Sequence, residues 1–132
     1  MIGLDTNVIV RIFVDDDPQQ ARLARAFVAG KCSRDDPGFI DRVALCELIW
    51  VLASVHGYGR PAIADVIEKL AANQAMRLED IDLVWLALRD YRASSADFAD
   101  ILIGHVNRAR GCESTATFDR KAARLEGFVR VT

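Results

Sequence analysis

Short apolar runs alternate with stretches of helical periodicity along the whole chain, and this alternation restricts the possible folds more than any other feature. Ile2 to Leu4 reads as a short buried strand, and Asn7 to Val14 as a helix entered through Thr6 or Asp5 as cap. Asp17-Pro18 opens a further helix with Ala21, Ala24, Phe27 and Val28 on one face and Gly30 as its stop. After the polar loop 31–37, Gly38-Phe39-Ile40 reads as a second strand. The spacing of Leu45, Leu48, Ile49 and Leu52 then predicts a helix from Arg42 to about His56, ended by Gly57 and Gly59. Pro61 opens the next helix, whose apolar stripe is Ile63, Val66, Ile67 and Leu70. A third strand is expected near Ala75 to Leu78, then a helix through Leu83, Leu86 and Leu88 to Tyr91. Ser94-Ser95 breaks that helix, and Asp97 caps another that runs to about Arg110 and ends at Gly111. Glu113 to Thr117 reads as a fourth strand, Arg120 to Leu125 as a short helix, and Phe128 to Val131 as a last strand.

Strands that alternate with helices pair in parallel and are covered on both faces. The expected class is therefore α/β, a three-layer α/β/α sandwich around a central, mostly parallel sheet. Two helices between the third and fourth strands are its one irregularity. A chain of 132 residues is the size of one domain, taken as 1–132, and 52% apolar with 27% charged residues is a globular balance. The longest apolar run carries Glu47 and falls short of the ~20 residues of a membrane span. With no basic leader or cleavage pattern at its start, the sequence reads as cytoplasmic and without a membrane role. Cys32, Cys46 and Cys112 are an odd set without paired spacing, expected to be buried or inert thiols in a reducing compartment.

The alternation also gives acidic residues a place to meet. Ligands of open α/β sheets bind beyond the carboxyl ends of the strands. Asp5 directly follows the first strand, Glu47 lies in the early turns of the helix after the second, and Asp119 directly follows the fourth. Carboxylates that converge repel one another unless a cation joins them. Glu47 interrupts a greasy run, and its neighbours on the helix surface are Val43, Trp50 and Val51, so its face reads as unsolvated. A carboxylate buried there needs a partner: a metal ion, or an arginine such as Arg42 or Arg11. Asp97 and Asp100 share a helical face; Asp97 is also a natural cap, whereas Asp100 in the first turn needs a reason beyond the helix dipole. Asp5 and Asp119 each have an alternative role as caps. The acidic runs Asp15-Asp16-Asp17, Asp35-Asp36 and Glu79-Asp80 read as solvated loops and caps. His56 reads as a surface residue near a helix end, and His105 lies too far round its helix to join Asp100, so neither forms an acid–base pair.

Four segments carry a resemblance: Leu4-Asp5-Thr6-Asn7-Val8-Ile9-Val10, the apolar helix with Glu47, Ala96-Asp97-Phe98-Ala99-Asp100-Ile101-Leu102-Ile103, and Thr117-Phe118-Asp119-Arg120. Together and in this order they resemble PIN-domain nucleases, and most of all the VapC toxins of bacterial toxin–antitoxin pairs. The resemblance runs essentially end to end. It implies a catalytic set of Asp5, Glu47, Asp100 and Asp119, with Asp97 as an additional acid and Asn7 and Thr117 as polar supports. Asp5, Glu47, Asp97, Asp100 and Asp119 are the implied ligands of Mg²⁺ or Mn²⁺. Gly104 and His105 depart from the family, whose members commonly have alanines there.

Such ions take oxygen ligands from a few carboxylates and keep several waters, one of which attacks a phosphodiester while the metal charge offsets that growing on the phosphate. The resemblance implies a metal-dependent endoribonuclease, a homodimer, and inhibition by a VapB-type antitoxin. The apolar faces around Ile63, Val66, Ile67 and Leu70 and around Phe27 and Val28 exceed what one small sheet covers, which agrees with a dimer. A net charge of −2 excludes indiscriminate nucleic-acid binding but leaves room for a local basic surface. Arg108, Arg110, Arg120 and Lys121 lie near the fourth acid, and Arg11 near the first; these are the candidate RNA phosphate contacts. Two other classes remain open: a non-catalytic PIN-like binding module and a phosphoacceptor α/β domain. The second is disfavoured because Asp5 lacks a paired acid beside it or two residues on.

Overall fold

The first three helix starts follow one chemistry. In the computed structural model, which describes Met1–Thr132, Asp5 accepts the Thr6 N–H at 2.7 Å where α1 (Thr6–Phe13) begins. Asp17 accepts the Gln20 N–H at 3.2 Å at the start of α2 (Pro18–Lys31), and Asp41 the Ala44 N–H at 2.7 Å at the start of α3 (Arg42–Ser54). Each carboxylate satisfies an N–H that the helix leaves unpaired. α4 (Arg60–Ala72) starts instead from Gly59, with proline in its first turn.

The chain divides into two compact units, Met1–Ile81 and Asp82–Thr132. In the first, β1 (Ile2–Gly3), β2 (Gly38–Ile40) and β3 (Met76–Leu78) form a parallel sheet in the order β1-β2-β3, with Gly3 opposite Phe39 and Phe39 opposite Arg77. α1 packs on both α2 and α3. Ile9, Ile40, Leu45, Leu48, Leu52 and Ile67 are fully buried. Gly38 lets the sheet close on its surroundings, because a Cβ there would lie 2.8 Å from Leu4 Cδ1 and 3.0 Å from Cys32 Sγ.

Several expectations shift at this level. Gly30 does not stop α2, which continues to Lys31 while the Cys32 N–H still bonds the Val28 carbonyl at 2.9 Å. Gly57, at φ +70°, does lie just beyond the end of α3. The stripe Ile63, Val66, Ile67 and Leu70 is buried within the single chain, so it offers no surplus surface to a second copy. Of the two faces expected to be in surplus, the one on α2 does keep exposed apolar groups, Leu23 and Phe27.

The second unit contains most of α5 (Ile81–Ala93), α6 (Phe98–Ala109), and a parallel pair, β4 (Thr115–Thr117) and β5 (Phe128–Arg130), with Thr115 opposite Phe128. α5 buries Val84, Ala87, Leu88 and Tyr91 and leaves Leu86 exposed. The Tyr91 and Phe98 rings meet edge to face, centroids 5.9 Å apart. The helix expected at Arg120–Leu125 shrinks to one three-ten turn, Ala122–Arg124. Gly111, at φ +96°, closes α6 with its N–H on the Arg108 carbonyl. Gly104 admits the Phe128 ring so closely that a Cβ would lie 2.5 Å from one ring carbon and 2.6 Å from the next. That packing is the physical reason for the departure at this position.

Candidate metal and nucleic-acid site

The first unit brings Asp5 and Glu47 to one cleft of about 340 Å³. Asn7, Arg11, Asp16 and His56 line it with them. Asp5 arrives there because strand β1 ends two residues before it and α1 starts immediately after. Glu47 arrives from the second turn of α3. One oxygen of Asp5 is already committed to the Thr6 N–H, which leaves the other for a cation or water. His56, read from sequence as a surface residue, shares this cleft; only the turn of chain beyond α3 brings it there.

Glu47 is not buried, contrary to its sequence reading. It is exposed, and so are Val43 and Trp50 beside it on α3. Apolar neighbours on a helix do not bury a carboxylate when nothing covers that face. Neither suggested arginine neutralises it. Arg42 bonds Asp80 at 3.1 Å, with Glu79 at 3.8 Å, and Arg11 holds Asp16 and Gln20.

In the second unit Asp97, Asp100 and Asp119 gather around the start of α6. Partial burial, and then the charges of Asp97 and Asp119, push the Asp100 carboxyl above its ordinary range. Asp97 occupies the N-cap position, yet its carboxylate makes no capping bond. Asp119 does cap: it accepts the Ala122 N–H at 2.8 Å, while its own N–H is held by Thr117 Oγ1 at 3.0 Å. Thr117 therefore supports the acid's placement through the backbone. Among the candidate phosphate contacts in this unit, Arg108 leans toward Glu126 at 3.7 Å, and Arg110, Arg120 and Lys121 are exposed.

The pairing of His105 with Asp90 was not legible. Its Nε2 lies 2.7 Å from Asp90 Oδ2, linking α6 to α5, and the pair is half-buried. Of the cysteines, burial pushes the Cys32 and Cys46 thiols up, as expected of inert groups, but Cys112 is exposed.

No three histidine, cysteine or acidic side chains stand together as a ready-made metal cage. Mg²⁺ commonly needs only one or two carboxylates, its remaining positions being water or substrate phosphate, so the all-oxygen donors Asp97, Asp100 and Asp119 fit such an ion. The charges of Asp97 and Asp119, which add to the effect of partial burial at Asp100, are what a cation would offset.

The sequence pattern of the PIN domain matches residues 2–127, across both units. The chain belongs to the PIN domain family. A search of curated proteins finds no match. PIN domains are mostly helical α/β folds with a parallel sheet, and the helices and wholly parallel strands found here are consistent with an α/β sandwich. They are generally metal-dependent nucleases, usually served by Mg²⁺ or Mn²⁺, and this membership implies a hydrolase acting on nucleic acid. No helix is long and apolar enough to cross a membrane.

Proposed function

We propose that this PIN domain is an endoribonuclease dependent on Mg²⁺ or Mn²⁺, the VapC-type toxin of a type II toxin–antitoxin pair. Residues 1–132 act as a single domain in this reading, in keeping with a family pattern that spans both units. Asp5, Glu47, Asp100 and Asp119 are the catalytic acids, with Asp97 as a further ligand and Asn7 and Thr117 as supports. The observation that carries the proposal is Asp97 at the start of α6 without the capping bond its position offers, three residues from Asp100, whose carboxyl is pushed up by partial burial and then by the charges of Asp97 and Asp119. A purely structural role for Asp97 would use that bond.

When bound, the ion supplies a more acidic water and positive charge opposite the phosphate. Within the second unit Asp100 and Asp97 would hold it from α6, and Asp119 directly or through water, by the oxygen its capping bond leaves over; Asp5 as a further ligand rests on the resemblance of its segment to VapC toxins. Glu47, exposed and without an arginine partner, is in this reading the acid that would accept a proton from the attacking water. Arg11, Arg108, Arg110, Arg120 and Lys121 would steady the flanking phosphates, Arg11 by exchanging its bond to Asp16. A VapB-type antitoxin, a homodimer and a cytoplasmic setting rest on the resemblance of the four acid-bearing segments to VapC toxins.

Purified protein should cleave RNA only with Mg²⁺ or Mn²⁺, and Asp100→Asn should lower the rate at least about 100-fold, comparable to loss of a group that stabilises transition-state charge. Expression of the chain alone should arrest growth, and the variant should relieve it. Undiminished cleavage by the variant would defeat the site, and no cleavage by the wild type would favour a non-catalytic binding module.

A further inference from the structure

Trp50 is 64% exposed in the middle of α3, and Val43, two turns earlier, is 72% exposed. At 100° per residue the two lie about 20° apart around the helix, with Glu47 between them along the axis and within about 60° of both. A large aromatic ring thus stands in water one turn from an acid assigned above to the catalytic set. The second unit repeats the association: Phe118, 77% exposed, directly precedes Asp119. Leaving such rings uncovered forgoes the burial that usually makes an aromatic side chain favourable, so a ligand that covers them is the economical explanation.

The size and charge of the α3 face narrow the occupant. A stable protein interface buries roughly 800 Å² per partner, whereas Trp50 and Val43 together offer on the order of 300 Å². A second copy seated here would also take Glu47 out of water, and neither Arg42 nor Arg11 pairs with it. A nucleobase suits the dimensions: it needs one aromatic face, leaves its sugar and phosphate in water, and requires no hydrogen bond from the protein. Bases are available for such stacking only when unpaired.

We infer that Trp50 is a base-stacking residue that selects single-stranded RNA and seats a nucleotide next to the scissile phosphate. This rests on the nuclease reading above, but its test separates the two. With Trp85→Phe in place, Trp50 is the sole tryptophan, and Asp100→Asn prevents turnover. A single-stranded RNA oligonucleotide should quench its emission saturably, and a duplex of the same sequence should do so far less. In the otherwise native enzyme Trp50→Ala should raise KM about tenfold with little change in kcat, and Trp50→Phe should recover most of the loss, as expected for one base stack. Cleavage with an unchanged KM in Trp50→Ala, or equal quenching by single strand and duplex, would overturn the inference. So would conversion of a dimer to a monomer by Trp50→Ala, which would assign the face to a second copy. If the wild type cleaves no RNA while single strands still quench Trp50, the nuclease reading falls and the stacking site stands.

Discussion

Asp5 and Asp97 hold the same position at the starts of two helices, one in each unit, and use it differently. Asp5 gives an oxygen to the Thr6 N–H, as Asp17 and Asp41 do for their helices, whereas Asp97 withholds its carboxylate from α6. The first unit therefore builds its acids into the scaffold and presents what remains of them to a cleft. The second half-buries Asp100 within reach of the charges of Asp97 and Asp119, a conflict for an ionised carboxyl. Sequence position alone would treat all four aspartates as caps. Local stability is served at three of them and given up at the fourth, which is the behaviour expected where a ligand completes the structure.

The sharpest way to break this comparison is to remove the conflict. Asp100 sits in the first turn of α6, where the helix dipole favours a carboxylate by up to about 2 kcal/mol, yet its proton affinity is raised, so burial and its two neighbours outweigh the dipole. A carboxyl raised on folding penalises the native state once it ionises: the penalty is absent below its ordinary pKa and grows as pH rises through the folded value. In chelator, wild-type stability should therefore fall across that window, and Asp100→Asn should melt higher than wild type at neutral pH. Mg²⁺ should restore the wild type, by about 2.7 kcal/mol at about 100 times its Kd, and barely affect the variant. A variant that melts lower in chelator would return Asp100 to a purely structural role.

Next in size is the packing that holds α6 over β5. Gly104→Ala forces a methyl group into the Phe128 ring and should cost roughly 1–3 kcal/mol, with Phe128→Leu in the same chain recovering part of it. Additive losses in denaturant titrations of the single and double variants would show that the two residues do not meet.

The caps themselves provide a smaller test. Asp5→Ala removes a capping bond and should destabilise by about 1 kcal/mol, while Asp97→Ala, with no such bond to lose, should leave stability in chelator unchanged or slightly higher. Equal losses at both sites would abolish the distinction between the units.

Local signals were readable where they depended on near neighbours in sequence. The strand at Gly38–Ile40, the capping aspartates at 5 and 17, the proline at the start of α4 and the glycine closing α6 follow from short-range chemistry. The order of the acid-bearing segments carried the family. What escaped depended on through-space packing: the cover over Ile63, Val66, Ile67 and Leu70, the absence of cover over Val43 and Trp50, the ring against Gly104, and His56 on the Asp5 cleft. Glu47 was misread for that reason. Helical periodicity states which residues share a face, and only the tertiary structure states whether that face meets protein or water.

The Asp90–His105 pair offers the finest probe, since it ties α5 to the helix that carries Asp97 and Asp100. Partial burial raises the Asp90 carboxyl, but hydrogen bonds from His105 and Arg89, with the charges of those residues, outweigh it and leave the group below its ordinary range. A depressed carboxyl stabilises the fold above its unfolded pKa of about 3.9, and that contribution disappears as pH falls through the lower folded value. His105→Leu should therefore cost a few tenths to about 1 kcal/mol near neutral pH, as expected for a partly exposed pair. The difference from wild type should shrink as melting is followed below about pH 4 and vanish once the pH has passed the depressed value of folded wild-type Asp90. Because the pair lies away from the carboxylates of α6's first turn, the metal response of the variant should persist. A pH-independent loss would mean that His105 contributes packing alone, and a lost metal response would mean that the second unit's acids depend on this clasp for their placement.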